Sequence, residues 1–149
     1  MVARTLQLDA FIPYRLSFTS NLVSGSIAET YDALFGIKIA EWRVIAWVAE
    51  RDGVSQQEIC EITRMDKVTV SRAAIALTER GLLERKPNAA DRRSHLLVLS
   101  AEGRTLYGAI APKALELERR IFAEFSQAEL DGFVATLRRI DAIVIGLGE

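Results

Sequence analysis

What the sequence has least of is the chemistry of enzymes and of secreted scaffolds: one cysteine, one histidine and three prolines in 149 residues. A lone Cys60 cannot close an intrachain disulfide, and Cys60 with His95 is too small a set to hold a metal. With no glycine-rich phosphate loop either, there is little from which to build a catalytic site, so no enzyme, no metal and no cofactor are expected. The longest apolar runs fall short of a membrane span, and the start, MVARTLQLDAF, lacks a signal-peptide core; a cytoplasmic place is the expectation. No internal repeat or low-complexity segment is visible. A chain that is 50% hydrophobic and 26% charged is expected to fold as one globular domain over 1–149.

Net charge is also nearly absent, at −1, which argues against a nucleic-acid partner until the charge is divided along the chain. Residues 64 to 104 hold nine Lys or Arg against five Asp or Glu, a balance of +4, so the remainder carries −5. Fifteen of the nineteen basic residues are Arg, the side chain suited to phosphate forks and minor-groove insertion. An acidic body with one basic stretch is the distribution that orients a protein on DNA.

That stretch has a readable order. Ser55-Gln56-Gln57-Glu58 has the form of a capping box and predicts a short helix from about Gln56 to Thr63. Asp66 can cap a second helix that Gly81 can end. Over Lys67 to Arg80, Val70, Ala73, Ala74 and Leu77 recur at i, i+3, i+4 and i+7, while Lys67, Thr69, Ser71 and Arg72 take the other surface. Two short strands follow, Leu82 to Lys86 and His95 to Leu99, around Pro87, Asn88 and the run Asp91, Arg92, Arg93, Ser94. Two helices joined by a tight turn and followed by a cationic hairpin make a winged helix-turn-helix, whose second helix is the one that enters a major groove.

The run from Ser55 to Gly103, with MDKVTVSR, LTERGLLERKPN and DRRSHLLVLSAEG at these spacings, resembles the MarR regulators. The resemblance implies a mainly α fold with a small β-hairpin wing, residues 40–100 forming the winged helix and residues 9–35 and 101–147 supplying dimerisation helices. It implies a homodimer on double-stranded DNA, most simply a repressor on a pseudo-palindromic operator. Lys67, Val68, Thr69, Ser71 and Arg72 then fall on or near the major-groove face, Arg72 facing guanine and Val68 a thymine methyl. Ser55 and Gln56 would hold phosphate. Arg93 would enter the minor groove with its guanidinium pinned by Asp91, and Arg92 would meet phosphate. Ile75 and Ala76 depart from the family, many of whose members carry charge there.

The remaining segments read as helices. Residues 9 to 35 carry an apolar pattern with Pro13 in a first turn; Ala40 to Arg51 presents Trp42, Ile45, Val48 and Ala49, with Trp47 off that stripe. A helix from Ala101 is expected to kink at Pro112, and the box Ser126-Gln127-Ala128-Glu129 opens a last helix too apolar for a solvated tail. The resemblance adds a small aromatic effector. Tyr14, Arg15, Phe18 and Trp42 are the candidates for its pocket, combining apolar walls with a cation. The stretch YRLSFTSNLVSGSIAETYDALFGIKIAEWRV is also similar to a branch of the family that answers to hydroxycinnamates or their coenzyme A thioesters. Two other readings stand beside this one: a winged helix that binds protein and not DNA, and a thiol-based redox sensor acting through Cys60, for which a small packed hydrophobe is the plainer account.

Overall fold

A computed structural model describes residues 4–148, so both ends of the expected 1–149 domain and the start of MVARTLQLDAF lie outside the described residues. A 3-10 turn at Leu8–Ala10 leads into α1 (Ile12–Phe35), α2 (Ile39–Arg51), α3 (Gln56–Thr63), α4 (Lys67–Glu79), β1 (Leu83–Pro87), β2 (His95–Leu99), α5 (Ala101–Phe122) and α6 (Gln127–Leu147). These fall into two compact units, the first ending at Ala114 and the second starting at Leu115. Among the described residues no helix is long and apolar enough to cross a membrane.

Local chemistry sets the helix ends. Pro13 sits in the first turn of α1, where its missing N–H is no loss, and Gly36 ends the helix at φ 62°. At α2 the Glu41 carboxylate accepts the Lys38 N–H at 2.8 Å. Ser55 caps α3 by accepting the Glu58 N–H at 3.1 Å, half of the expected box. Arg64, at φ 60°, then turns the chain toward α4. There the Asp66 carboxylate accepts the Thr69 N–H at 2.8 Å and the Thr69 hydroxyl at 2.9 Å. Gly81, at φ 75°, lies just past the end of α4.

The first unit is built on α2, α3 and α4 packing against one another and against the hairpin. Val44, Ile45, Ile59, Val70, Ala74 and Leu77 are wholly buried, and each such branched side chain contributes about 1.5–3 kcal/mol over its exposed state. β1 and β2 pair antiparallel from Leu83 opposite Leu99 to Pro87 opposite His95. Val54 adds a third short rung, exchanging both backbone bonds with Leu97 at 2.8 and 3.2 Å. The base of the wing is locked by Ser100, whose hydroxyl donates to the Gly81 carbonyl at 2.6 Å and accepts the Gly103 N–H at 3.0 Å. Gly103 has no substitute here, because a Cβ would lie 2.1 Å from the Leu82 carbonyl oxygen. At the other end of α4, Arg80 donates to the Gly36 carbonyl at 2.9 Å and so ties α4 to the close of α1.

Of α1 only Tyr31 is buried; Ile12, Leu16, Phe18, Leu22 and Leu34 are exposed. Trp42 is half-buried, edge-on to Tyr31 at 5.5 Å and stacked on Tyr107 at 5.9 Å. Trp47 is half-buried beneath the Arg51 guanidinium, 5.2 Å from its ring centre. α5 runs on through Pro112 as helix. In the second unit α6 opens on a complete capping box between Ser126 and Glu129 and buries no side chain. Cys60 is part-exposed on α3.

Candidate nucleic-acid interface

The α4 surface divides as its spacing predicts. Val70, Ala73, Ala74 and Leu77 face the core; Lys67, Val68 and Arg72 are exposed, and Thr69 and Ser71 are half-exposed. The Thr69 hydroxyl is already engaged by Asp66. That carboxylate is held below its usual range, first by the Thr69 N–H and then by the Thr69 hydroxyl. An ionised cap at this end also opposes the positive pole of the α4 dipole.

Beside α4 lies a cleft of about 370 Å³ in which the start of α3, the start of α4 and the wing meet. Ser55, Gln56, Lys67 and Arg93 line it, and so do Arg85 and His95, which the sequence reading missed. The cause is register. Arg85 pairs with Leu97, which is buried, and shares the alternating face of Leu83, also buried; side chains two apart on a strand point the same way. Arg85 and His95 therefore continue the core-facing row outward until it opens into the cleft. The Val54 rung brings the α3 start to the same place. Ser55 lies on the cleft floor, only 6% exposed.

Arg72 lies in a separate groove with Lys38, Ala40, Glu41 and Thr69, on the other flank of α4. Arg92 and Arg93 are both exposed in the wing loop. Asp91 does not pin the Arg93 guanidinium as expected: its carboxylate accepts the Arg93 backbone N–H at 3.0 Å, and its carbonyl accepts the Ser94 N–H at 3.1 Å. The short Asp side chain is satisfied two residues on in the backbone, which shapes the loop and leaves the guanidinium unengaged by it. Asn88 completes the loop, donating to Ser94 at 2.9 Å and accepting the Ala90 N–H at 3.1 Å.

A family model described as MarR family matches residues 35–94, which hold α2, α3, α4 and most of the wing. The fold is similar to that of a MarR/EmrR family transcriptional regulator from Acinetobacter sp. ADP1, with 27% identity and a TM-score of 0.87 over 95% of this chain and 99% of that one. The chain carries the MarR family's sequence pattern over residues 35–94. It is a DNA-binding transcriptional regulator and not an enzyme. In sequence it is similar to the transcriptional regulator HosA of Escherichia coli O157:H7, 26% identical over 100 residues, which is 67% of this chain and 74% of that protein. It shares its fold with CouR from Rhodococcus jostii RHA1, solved bound to p-coumaroyl-CoA, at 23% identity and a TM-score of 0.81 over 91% of this chain and 95% of that one.

The four pocket candidates suggested by the MarR resemblance fall into two groups. Arg15 pairs with Asp9 at 3.1 Å and lies over Phe18, 5.1 Å from its ring centre, with Tyr14 tilted at 40° to the same ring and 6.0 Å away. Trp42 belongs instead with Tyr31, about 25 Å further along α1 at 1.5 Å per residue. Burial raises the Tyr31 pKa above its usual value, so its phenol is neutral. Tyr107, stacked on Trp42, borders a cleft of about 220 Å³ whose walls include Val48, Asp52, Val98 and Arg104. Among the described residues, Arg104 is the one basic residue lining that cleft.

Proposed function

We propose that this regulator is a homodimeric repressor, released from a pseudo-palindromic operator by a small aromatic acid or its coenzyme A thioester. The observation that carries the proposal is the cleft in which Gln56, Lys67, Arg85 and Arg93 face one another beside the open start of α4. Four groups that can hold phosphate or base edges, drawn from three elements, converge there without an acidic side chain among the residues lining it.

In this reading α4 enters the major groove. Arg72 makes the bidentate guanine contact, Val68 meets a thymine methyl, and Lys67, Thr69 and Ser71 lie alongside. Gln56 and the backbone at Ser55 hold phosphate, Arg93 enters the minor groove, and Arg92 takes phosphate. Asp91 acts by setting the loop that carries both arginines. Residues 1–149 act as one MarR-type domain in the cytoplasm, the winged helix spanning 40–100. The exposed apolar residues within 9–35 and 101–147 supply the dimer contact. Support for the effector comes from the Tyr31, Trp42 and Tyr107 stack beside a cleft containing Arg104, and from the acyl-CoA bound by CouR. Tyr14, Arg15 and Phe18 would join that site only from a partner chain.

The test is a titration of the purified protein against a random duplex library, followed by selected duplexes at two salt concentrations. Affinity is expected to fall by about 10³ or more between about 50 and 200 mM salt for a protein making 6–10 phosphate contacts. No binding at the lower salt, or no loss at the higher, removes the reading. Aromatic acids and their coenzyme A esters are expected to raise the melting temperature, as any ligand that prefers the native state must.

A further inference from the structure

The outermost row of α4 alternates aliphatic and charged side chains where a phosphate-binding helix would be basic throughout. Val68, Arg72, Ile75 and Glu79 stand at i, i+4, i+7 and i+11, on the side opposite the buried row of Val70, Ala73, Ala74 and Leu77. Val68 is 56% exposed and Ile75 44%. Between Arg72 and Arg80 no Lys or Arg occurs, and Glu79 closes the row with a charge that phosphate repels. Ile75 is therefore not placed to grip a DNA backbone.

The geometry points to Ile75 as a specificity-determining residue that selects a thymine in each half-site. The 5-methyl group of thymine is the one apolar group that base pairs present in the major groove, so an exposed branched side chain centred on the reading face has one chemical partner there. Seven helical residues span about 10.5 Å, which is about three base pairs at 3.4 Å each. Val68 and Ile75 would then meet two methyls about three base pairs apart, with Arg72 over the base pairs between them. The inference rests on the reading that α4 enters the major groove.

The experiment uses the full chain and duplexes selected from a random library. The thymine aligned with the third turn of α4 is replaced by deoxyuridine, which removes the methyl and leaves pairing intact. Wild-type affinity is expected to drop about fourfold per half-site, the effect of one buried methyl. Ile75→Ala, at an exposed position, is expected to melt as the wild type does and to bind thymine and deoxyuridine duplexes equally. Equal wild-type affinity for the two duplexes overturns the inference, as does an undiminished deoxyuridine penalty in Ile75→Ala. Capture of no duplex at all overturns the major-groove reading, and this inference with it.

Discussion

More than half of α4 and more than half of α6 is apolar, yet α4 buries four residues within its own unit and α6 buries none. The α4 apolar residues sit in a stripe narrow enough for α2 and α3 to cover, which leaves the opposite surface open for another molecule. In α6, Phe133, Val134, Ile143, Val144, Ile145 and Leu147 are all exposed large side chains, a surface that in water calls for a second protein chain. The comparison teaches that two helices of similar apolar content expose opposite chemistry: α4 shows the polar surface its core leaves over, α6 the apolar face itself.

The sharpest way to break this contrast is to charge α6. Ile143→Glu is expected to turn the dimer into a monomer by light scattering and to weaken DNA binding by about 10² to 10⁴, the advantage of engaging two half-sites at once. Since Ile143 is 60% exposed in one chain, folding is not expected to suffer, and a dimer that survives would remove α6 from the interface. On the α4 side, Arg72→Ala is expected to cost about 1–3 kcal/mol per half-site and to relax base preference at one position. Arg92→Ala should weaken all sequences alike and reduce the salt slope by about one, read from titrations at several salt concentrations.

Smaller effects concern how the reading head is held. Gly103→Ala is expected to cost about 1–3 kcal/mol of stability, measured by denaturant unfolding, because its Cβ would meet the backbone of Leu82 and force the wing away from α5. The smallest effect is at Asp66, which is fully exposed. Its pKa is lowered in the folded state, so its contribution to stability is present at neutral pH and is lost as the pH falls below about 4, through the lowered value. Asp66→Asn keeps an acceptor for Thr69 and should flatten this acid limb of the melting curve while changing little at pH 7.

Much of this architecture was legible because helix ends are written locally. Asp66, Ser126 and Pro13 each announce a boundary through groups within three residues, and the structure places helices accordingly. Asp91 shows the limit of such local reading: a side chain two residues from Arg93 was expected on its guanidinium and is found on its backbone. Arg85 and His95 were missed because which strand face looks inward depends on the pairing of β1 with β2 and on the Val54 rung, neither of which periodicity in a five-residue strand can fix. The stack of Trp42 on Tyr107 joins residues 65 apart in sequence.

The bond from Arg80 to the Gly36 carbonyl makes the tail of α4 answer to α1. Because Gly36 is the left-handed residue at which α1 stops, any roll of that long rod shifts the oxygen that Arg80 grasps, and the far end of α4 is pulled with it. The clasp is a single guanidinium in open water, so it can slip and re-form cheaply; orientation passes between the two rods without either being welded to the other.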